Sequence, residues 1–105
     1  MSYEVAITEV AEAQLRRLPI REQRIVEAAI MARLIVQPNV QTGAIKKLRP
    51  NPLAEYELRV GPMRILYNVE GMNVVILLVG RKVGNKLVVD GIEYHGHQDN
   101  DAGQP

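Results

Sequence analysis

Apolar residues recur along this chain in two rhythms, and the change falls between Pro38 and Ala44. Before it the spacing is helical. Tyr3 to Ile7 alternates and is rich in β-formers, which predicts a short first strand. Ala11, Leu15 and Leu18 then recur at helical intervals. Thr8 is placed to cap that helix, and Glu9 suits the positive end of its dipole. Pro19 stops it near Leu18. A second helix is predicted over Ile20 to Val36, with the stripe Val26, Ala29, Ile30 and Leu34 on one side and Arg21, Arg24, Glu27 and Arg33 on the other. Gln37-Pro38-Asn39 ends it. Two helices joined this briefly predict an antiparallel hairpin.

After that point the period is two. Ala44 to Arg49 predicts a strand, and Pro50-Asn51-Pro52 a loop. Tyr56, Leu58 and Val60 alternate with Glu57 and Arg59, as in a half-buried strand. Gly61-Pro62 signals a turn. Ile65, Tyr67 and Val69 alternate with Arg64, Leu66 and Asn68, and Gly71 marks the next turn. Val74 to Val79 is apolar throughout, which predicts a central strand covered on both faces. Arg81 to Asn85 reads as a loop, Leu87 to Val89 as a further strand and Asp90-Gly91 as a turn. The class is therefore α+β: an N-terminal strand, a helix hairpin, then an antiparallel β-meander. One domain over residues 3–96 is expected, with a polar, disordered tail over 97–105.

Composition narrows the environment. With four Tyr and no Phe or Trp, the core must be built from Val, Ile, Leu, Ala and Met. No cysteine is present, which excludes disulfides and thiolate metal sites and favours a reducing cytoplasm. Met1-Ser2-Tyr3-Glu4 carries no basic and apolar signal pattern, and the longest apolar run is too short to span a bilayer. Net charge is only +1 but uneven. Residues 43–90 set Lys46, Lys47, Arg49, Arg59, Arg64, Arg81, Lys82 and Lys86 against Glu55, Glu57, Glu70 and Asp90. Such a basic middle fits either a localised anion site or a lysine-guarded sheet edge.

Register sharpens the choice. If Gly61-Pro62 is a two-residue turn, Arg59 and Arg64 face each other with Cβ atoms about 4.5–5.5 Å apart. Like charges directly opposite destabilise a sheet, so a purely structural sequence avoids the pair and an anion site uses it. Glu57, diagonal to Arg64, is the alternative explanation, as a neutralising partner.

The order of elements, with Lys47-Leu48-Arg49, Tyr56-Glu57-Leu58-Arg59-Val60-Gly61, Met63-Arg64-Ile65-Leu66-Tyr67 and Val79-Gly80-Arg81-Lys82 on successive strands, resembles the RelE/ParE superfamily of toxins. The match runs over about residues 3–86 and is closer to the RelE branch, because the gyrase-directed ParE branch often carries a His where Gly80 stands. That resemblance implies a metal-free, cofactor-free endoribonuclease acting on messenger RNA in the ribosome. Its partner would be a cognate antitoxin, whose C-terminal region folds onto the helix hairpin and sheet. The 2′-hydroxyl would attack the adjacent phosphate, with fixed cations stabilising the charge that develops. On this reading Arg64 is the central catalytic arginine and Arg59 a second cation. Arg81 and Lys82 protonate the leaving oxygen or hold phosphate. Lys46, Lys47, Arg49 and Lys86 contact the RNA backbone. Glu57, where RelE proper has a basic residue, is either a general base or an ion-pair partner. Tyr94, His95 and His97 are further candidates at the C-terminal end. A ParE-like gyrase inhibitor and an inactive relative that only binds its partner stand as alternative functions.

Overall fold

The computed structural model describes residues 2–94. The elements are β1 (Glu4–Ile7), α1 (Glu9–Arg16), α2 (Ile20–Ala29), a π-helical turn (Ile30–Leu34), then β2 (Ile45–Lys47), β3 (Tyr56–Val60), β4 (Met63–Glu70), β5 (Asn73–Val83), β6 (Lys86–Val89) and β7 (Ile92–Tyr94). The expected α+β order is present. The 97–105 tail, His95 and His97 lie outside the described residues. No helix is long and apolar enough to cross a membrane.

One face of the sheet carries the helices. Thr8 caps α1 by accepting from the Ala11 N–H at 3.1 Å. At the other end Gln23 donates to the carbonyls of Arg16 and Leu18, so a side chain of α2 closes the C-terminus of α1. Arg16 pairs with Glu12 and Glu27 and ties the same two helices on their wet side. Beneath them Ala11, Leu15, Val26, Ile30 and Leu34 pack on Ile45, Leu58, Ile65, Tyr67, Val74 and Ile76. Burial of that apolar area is the dominant favourable contribution to folding.

β2, β3, β4, β5, β6 and β7 form an antiparallel run in that order, and β1 pairs parallel to β5 through Glu4↔Asn73 to Ile7↔Ile76. β1 and β6 share one edge of β5, with a gap between them. Gln14 of α1 fills the gap. Its Oε1 accepts the Val79 N–H at 2.8 Å, a donor that neither strand reaches. From there Gln14 and Arg17 both bond to Asp90 in the β6–β7 turn, where Asp90 and Gly91 carry φ of 54° and 78°.

Two expectations fail here. β5 continues through Arg81 and Lys82 to Val83, where a loop was expected, because β6 supplies the ladder partners that sequence periodicity does not reveal. Nor is β5 fully buried on both faces: Val74, Ile76 and Val79 are buried, whereas Val75, Leu77 and Leu78 are half-buried. A register shift at Leu66/Tyr67 also leaves Leu77 as the extra residue, which breaks the simple alternation.

Tyr67 is the largest fully buried side chain, and it stacks on Tyr56 at 5.5 Å. Its hydroxyl donates to the Pro38 carbonyl at 2.6 Å, pinning the helix-to-sheet connection. Burial pushes its phenol well above the ordinary range, so it stays a donor at any working pH. Tyr67→Phe removes that bond and leaves the Pro38 carbonyl unpaired. The expected cost is about 1–3 kcal/mol in urea unfolding, with the fold unchanged by circular dichroism.

Candidate active site

The charged residues of interest lie mostly on the sheet face away from the helices. Strand alternation places them there. β3 and β4 meet in the register Leu58↔Ile65, Arg59↔Arg64 and Val60↔Met63, joined by the two-residue turn Gly61-Pro62. Gly61 has φ 56°, a backbone conformation for the first turn position that only glycine adopts without strain. Arg59 and Arg64 therefore stand directly across from one another. Glu57 lies two residues before Arg59 on the same face, opposite Lys46 of β2. Arg64 is opposite Gly80, and Lys82 follows on that face with its N–H bonded to the Pro62 carbonyl at 2.8 Å.

The floor around these charges is apolar. Leu48, Ala54, Leu66, Leu87 and Val89 are buried, and Leu53, Leu77, Leu78 and Tyr94 pack against them. This second cluster removes water from one side of the charged groups and strengthens their interactions. Glu57 is 0% exposed and Arg64 only 8%. The Glu57 carboxylate accepts from Arg59 Nε at 3.0 Å. The NH1 nitrogen of Arg64 donates to the carbonyls of Gly61 (2.7 Å) and Met63 (2.9 Å), so the turn itself aims this guanidinium. Both arginines are thus held in set orientations. A planar guanidinium fixed in this way suits a phosphate, which it can meet with two parallel N–H bonds.

Gly80 explains how close the strands come. A Cβ there would sit 2.6 Å from Val89 Cγ2 and 2.8 Å from the Val88 carbonyl oxygen. β6 therefore presses against β5 beside Arg64, bringing Val89 and Leu87 under the charged row. Tyr94, opposite Leu87 on β7, joins the same face.

Arg81 departs from the expected cluster. Adjacent residues of a strand point to opposite faces, and once β5 is seen to run past Gly80, Arg81 must turn toward the helices while Lys82 turns away. Arg81 pairs with Glu22 of α2 at 2.7 Å. The two basic neighbours do not share one site. Lys86 likewise bonds to Glu93 across β6 and β7. Lys47 and Arg49 lie at the β2–β3 loop, one end of the sheet away from the Arg59–Arg64 pair.

Sequence reasoning missed Gln14 and Asp90, whose roles depend on contacts more than 60 positions apart in the chain. It also left Tyr94 unaligned, because β7 is a strand only by pairing with β6. Asn51, flanked by two prolines, did carry a signal, since Asx side chains between such residues close turns.

Neither a family model nor a curated protein sequence matches the chain. Solved structures do. A RelE toxin in the crystal structure of the RelBE2 toxin–antitoxin complex from Mycobacterium tuberculosis superposes with a TM-score of 0.68 at 28% identity, covering 78% of this chain and 100% of that one. The archaeal RelE of the RelE–RelB complex from Pyrococcus horikoshii gives a TM-score of 0.63 at 24% identity, covering 77% of this chain and 96% of that one, a likeness of fold. The strand, two helices and antiparallel meander described above are those of the RelE-like α+β fold.

Proposed function

We propose that this RelE-like chain is the toxin of a toxin–antitoxin module and an endoribonuclease that cuts messenger RNA at the ribosome. The observation that carries the reading is the Arg59↔Arg64 pairing. Two guanidinium groups directly opposite on a sheet repel one another; the buried Glu57 pairs with Arg59, but with Lys46 and Lys82 on the same face the positive charges outnumber it, which suits an anion. A phosphodiester is such an anion. Arg64 would bind the scissile phosphate and stabilise the charge that gathers on its oxygens as the neighbouring 2′-hydroxyl attacks. Arg59 would share that charge. Lys82 or Tyr94 would deliver a proton to the departing 5′-oxygen.

Inducing the chain without a partner tests the proposal. Growth arrest with cuts phased to codons supports it. DNA damage with intact messenger favours gyrase inhibition, and unaffected growth favours an inactive, partner-binding relative.

The separation of Arg81 from Lys82 supports a sharper expectation. Lys82→Ala is expected to slow RNA cleavage by about tenfold or more, since an aimed donor in such sites contributes on the order of 10²–10³ in rate at most. Arg81→Ala removes a partly exposed ion pair and is expected to cost about 0–1 kcal/mol of stability with cleavage nearly unchanged. Equal losses of cleavage in both variants would contradict the assignment.

Glu57 acts, on this reading, as a positioning residue that fixes Arg59 through its Nε bond. Glu57→Gln retains an acceptor oxygen but loses the charge. A lowered kcat with an unchanged pH profile is expected. Loss of the acidic limb of the profile would instead make Glu57 the general base toward the 2′-hydroxyl.

The antitoxin would cover the helix side. A cavity of about 360 Å³ lies there between Val5, Ile7, Leu15, Ile30, Met31 and Ile76, rimmed by Glu12, Arg16 and Glu27. Met31 is 64% exposed at its mouth, and β1 beside it has β5 as its partner on one side only among the described residues. An amphipathic antitoxin segment fits such a groove.

A further inference from the structure

A second concavity lies on the Arg59–Arg64 face, at the opposite end of β4. It has a volume of about 290 Å³ and is formed by the β2–β3 loop, with Leu48, Leu53, Ala54 and two prolines as apolar walls and Arg49, Glu55 and Asn68 among the polar ones. We infer that it is a subsite for one unpaired nucleobase of a single-stranded RNA whose backbone runs along the sheet to Arg64. The inference rests on the proposed ribonuclease reading and adds where a base is held.

The loop has no regular secondary structure, yet one side chain sets its shape. Asn51 donates to the carbonyls of Arg49 and Ala54 and accepts from the N–H groups of Leu53 and Ala54. Asn68 accepts the Glu55 N–H at 2.8 Å, and Glu55 accepts the Val69 N–H at 3.2 Å, fastening the loop to β4. A cavity locked by six hydrogen bonds needs little ordering when a ligand enters, which is the condition for useful affinity from a small contact area.

Its size and chemistry select the occupant. The volume is at the lower end of the range for small-molecule sites, about 300–1,000 Å³, so it takes one ring system. Leucine and proline walls suit the faces of a flat base. Asn68 uses its Oδ1 on Glu55, and its Nδ2 has no protein partner among the described residues, so an amide donor is present for a base edge. Asn68 lies four positions beyond Arg64 on β4 and on the same face, roughly 13 Å at the usual rise per residue. A short stretch of single-stranded RNA spans that distance, and single-stranded bases are the ones free to be splayed out and read.

NMR titration of the full chain with the four nucleoside 5′-monophosphates and a short single-stranded RNA tests the inference directly. Shifts centred on Leu53, Ala54 and Asn68 are expected with nucleotides and RNA, and not with inorganic phosphate alone. Equal shifts with phosphate would make the loop an ion site and overturn the proposal. So would shifts elsewhere only, or equal binding of the same sequence as a duplex. Ala54→Leu fills the cavity and Asn68→Ala removes the donor. Each is expected to weaken single-stranded RNA binding about tenfold, and unchanged affinity in both, with thermal unfolding intact, refutes the subsite. Arg64→Ala keeps the nucleotide-induced shifts at the loop, so a failure of the nuclease reading is distinguishable from a failure of the subsite.

Discussion

Replacing Arg64 with alanine is expected to lower RNA cleavage by about 10²–10³-fold, the size of effect found when one aimed donor is removed from a charge-stabilising site. The structure makes the variant interpretable. Arg64 is 8% exposed, and two of its bonds run to carbonyls of its own turn. Those carbonyls lie at the sheet margin, so their loss should cost about 1 kcal/mol, and the folded state should survive. Arg64→Lys keeps the charge but cannot offer the planar fork, and it should recover only a small part of the rate. The measurement is cleavage of messenger after induction, alongside circular dichroism of the purified variant. A stably folded Arg64→Ala protein that still arrests growth at full strength removes Arg64 from the chemistry. The Arg81→Ala variant is the proper control, because it deletes the same chemical group from the other face of the same sheet.

Gly80→Ala is expected to destabilise the protein by about 1–3 kcal/mol, the usual cost of forcing a methyl group into a packed interior. For a domain of this size each kcal/mol lowers Tm by about 4–8 °C. The contact distances locate the effect: 2.6 Å to a valine methyl carbon and 2.8 Å to the Val88 carbonyl oxygen. A side chain could rotate away, but the carbonyl is part of the β5–β6 ladder and cannot. The strands must separate, and with them the support for Lys82 and the Leu87–Val89 floor. Cleavage should therefore fall together with stability. Gly80→His, which introduces a much larger side chain at the same place, should be worse still. A Gly80→Ala protein with unchanged Tm would show that β6 does not press on β5 as described.

Local patterning alone determined a good deal. Alternation of Leu58 and Val60 with Arg59, the Gly61-Pro62 turn and the alternation of Ile65 and Tyr67 with Arg64 sufficed to put the two arginines opposite each other. A two-residue hairpin leaves one register, and a slip by one residue would expose the whole apolar set. The helix boundaries at Thr8 and Pro19 were legible for the same local reason, since caps and prolines act on their immediate neighbours.

Other features were decided only by tertiary contacts. Arg81 and Lys82 look like one basic pair in sequence, and they are parted because β6 extends β5 past Gly80 and imposes the strand's two-faced geometry on them. Glu57 reads in sequence as a general base or an ion-pair partner on the polar side of a half-buried strand, yet it is 0% exposed, because the face away from the helices carries its own apolar cluster. Gln14 sits on a helix and completes a gap in a sheet. Each of these depends on groups far apart in the chain meeting in space, and no local period of two or 3.6 encodes such a meeting.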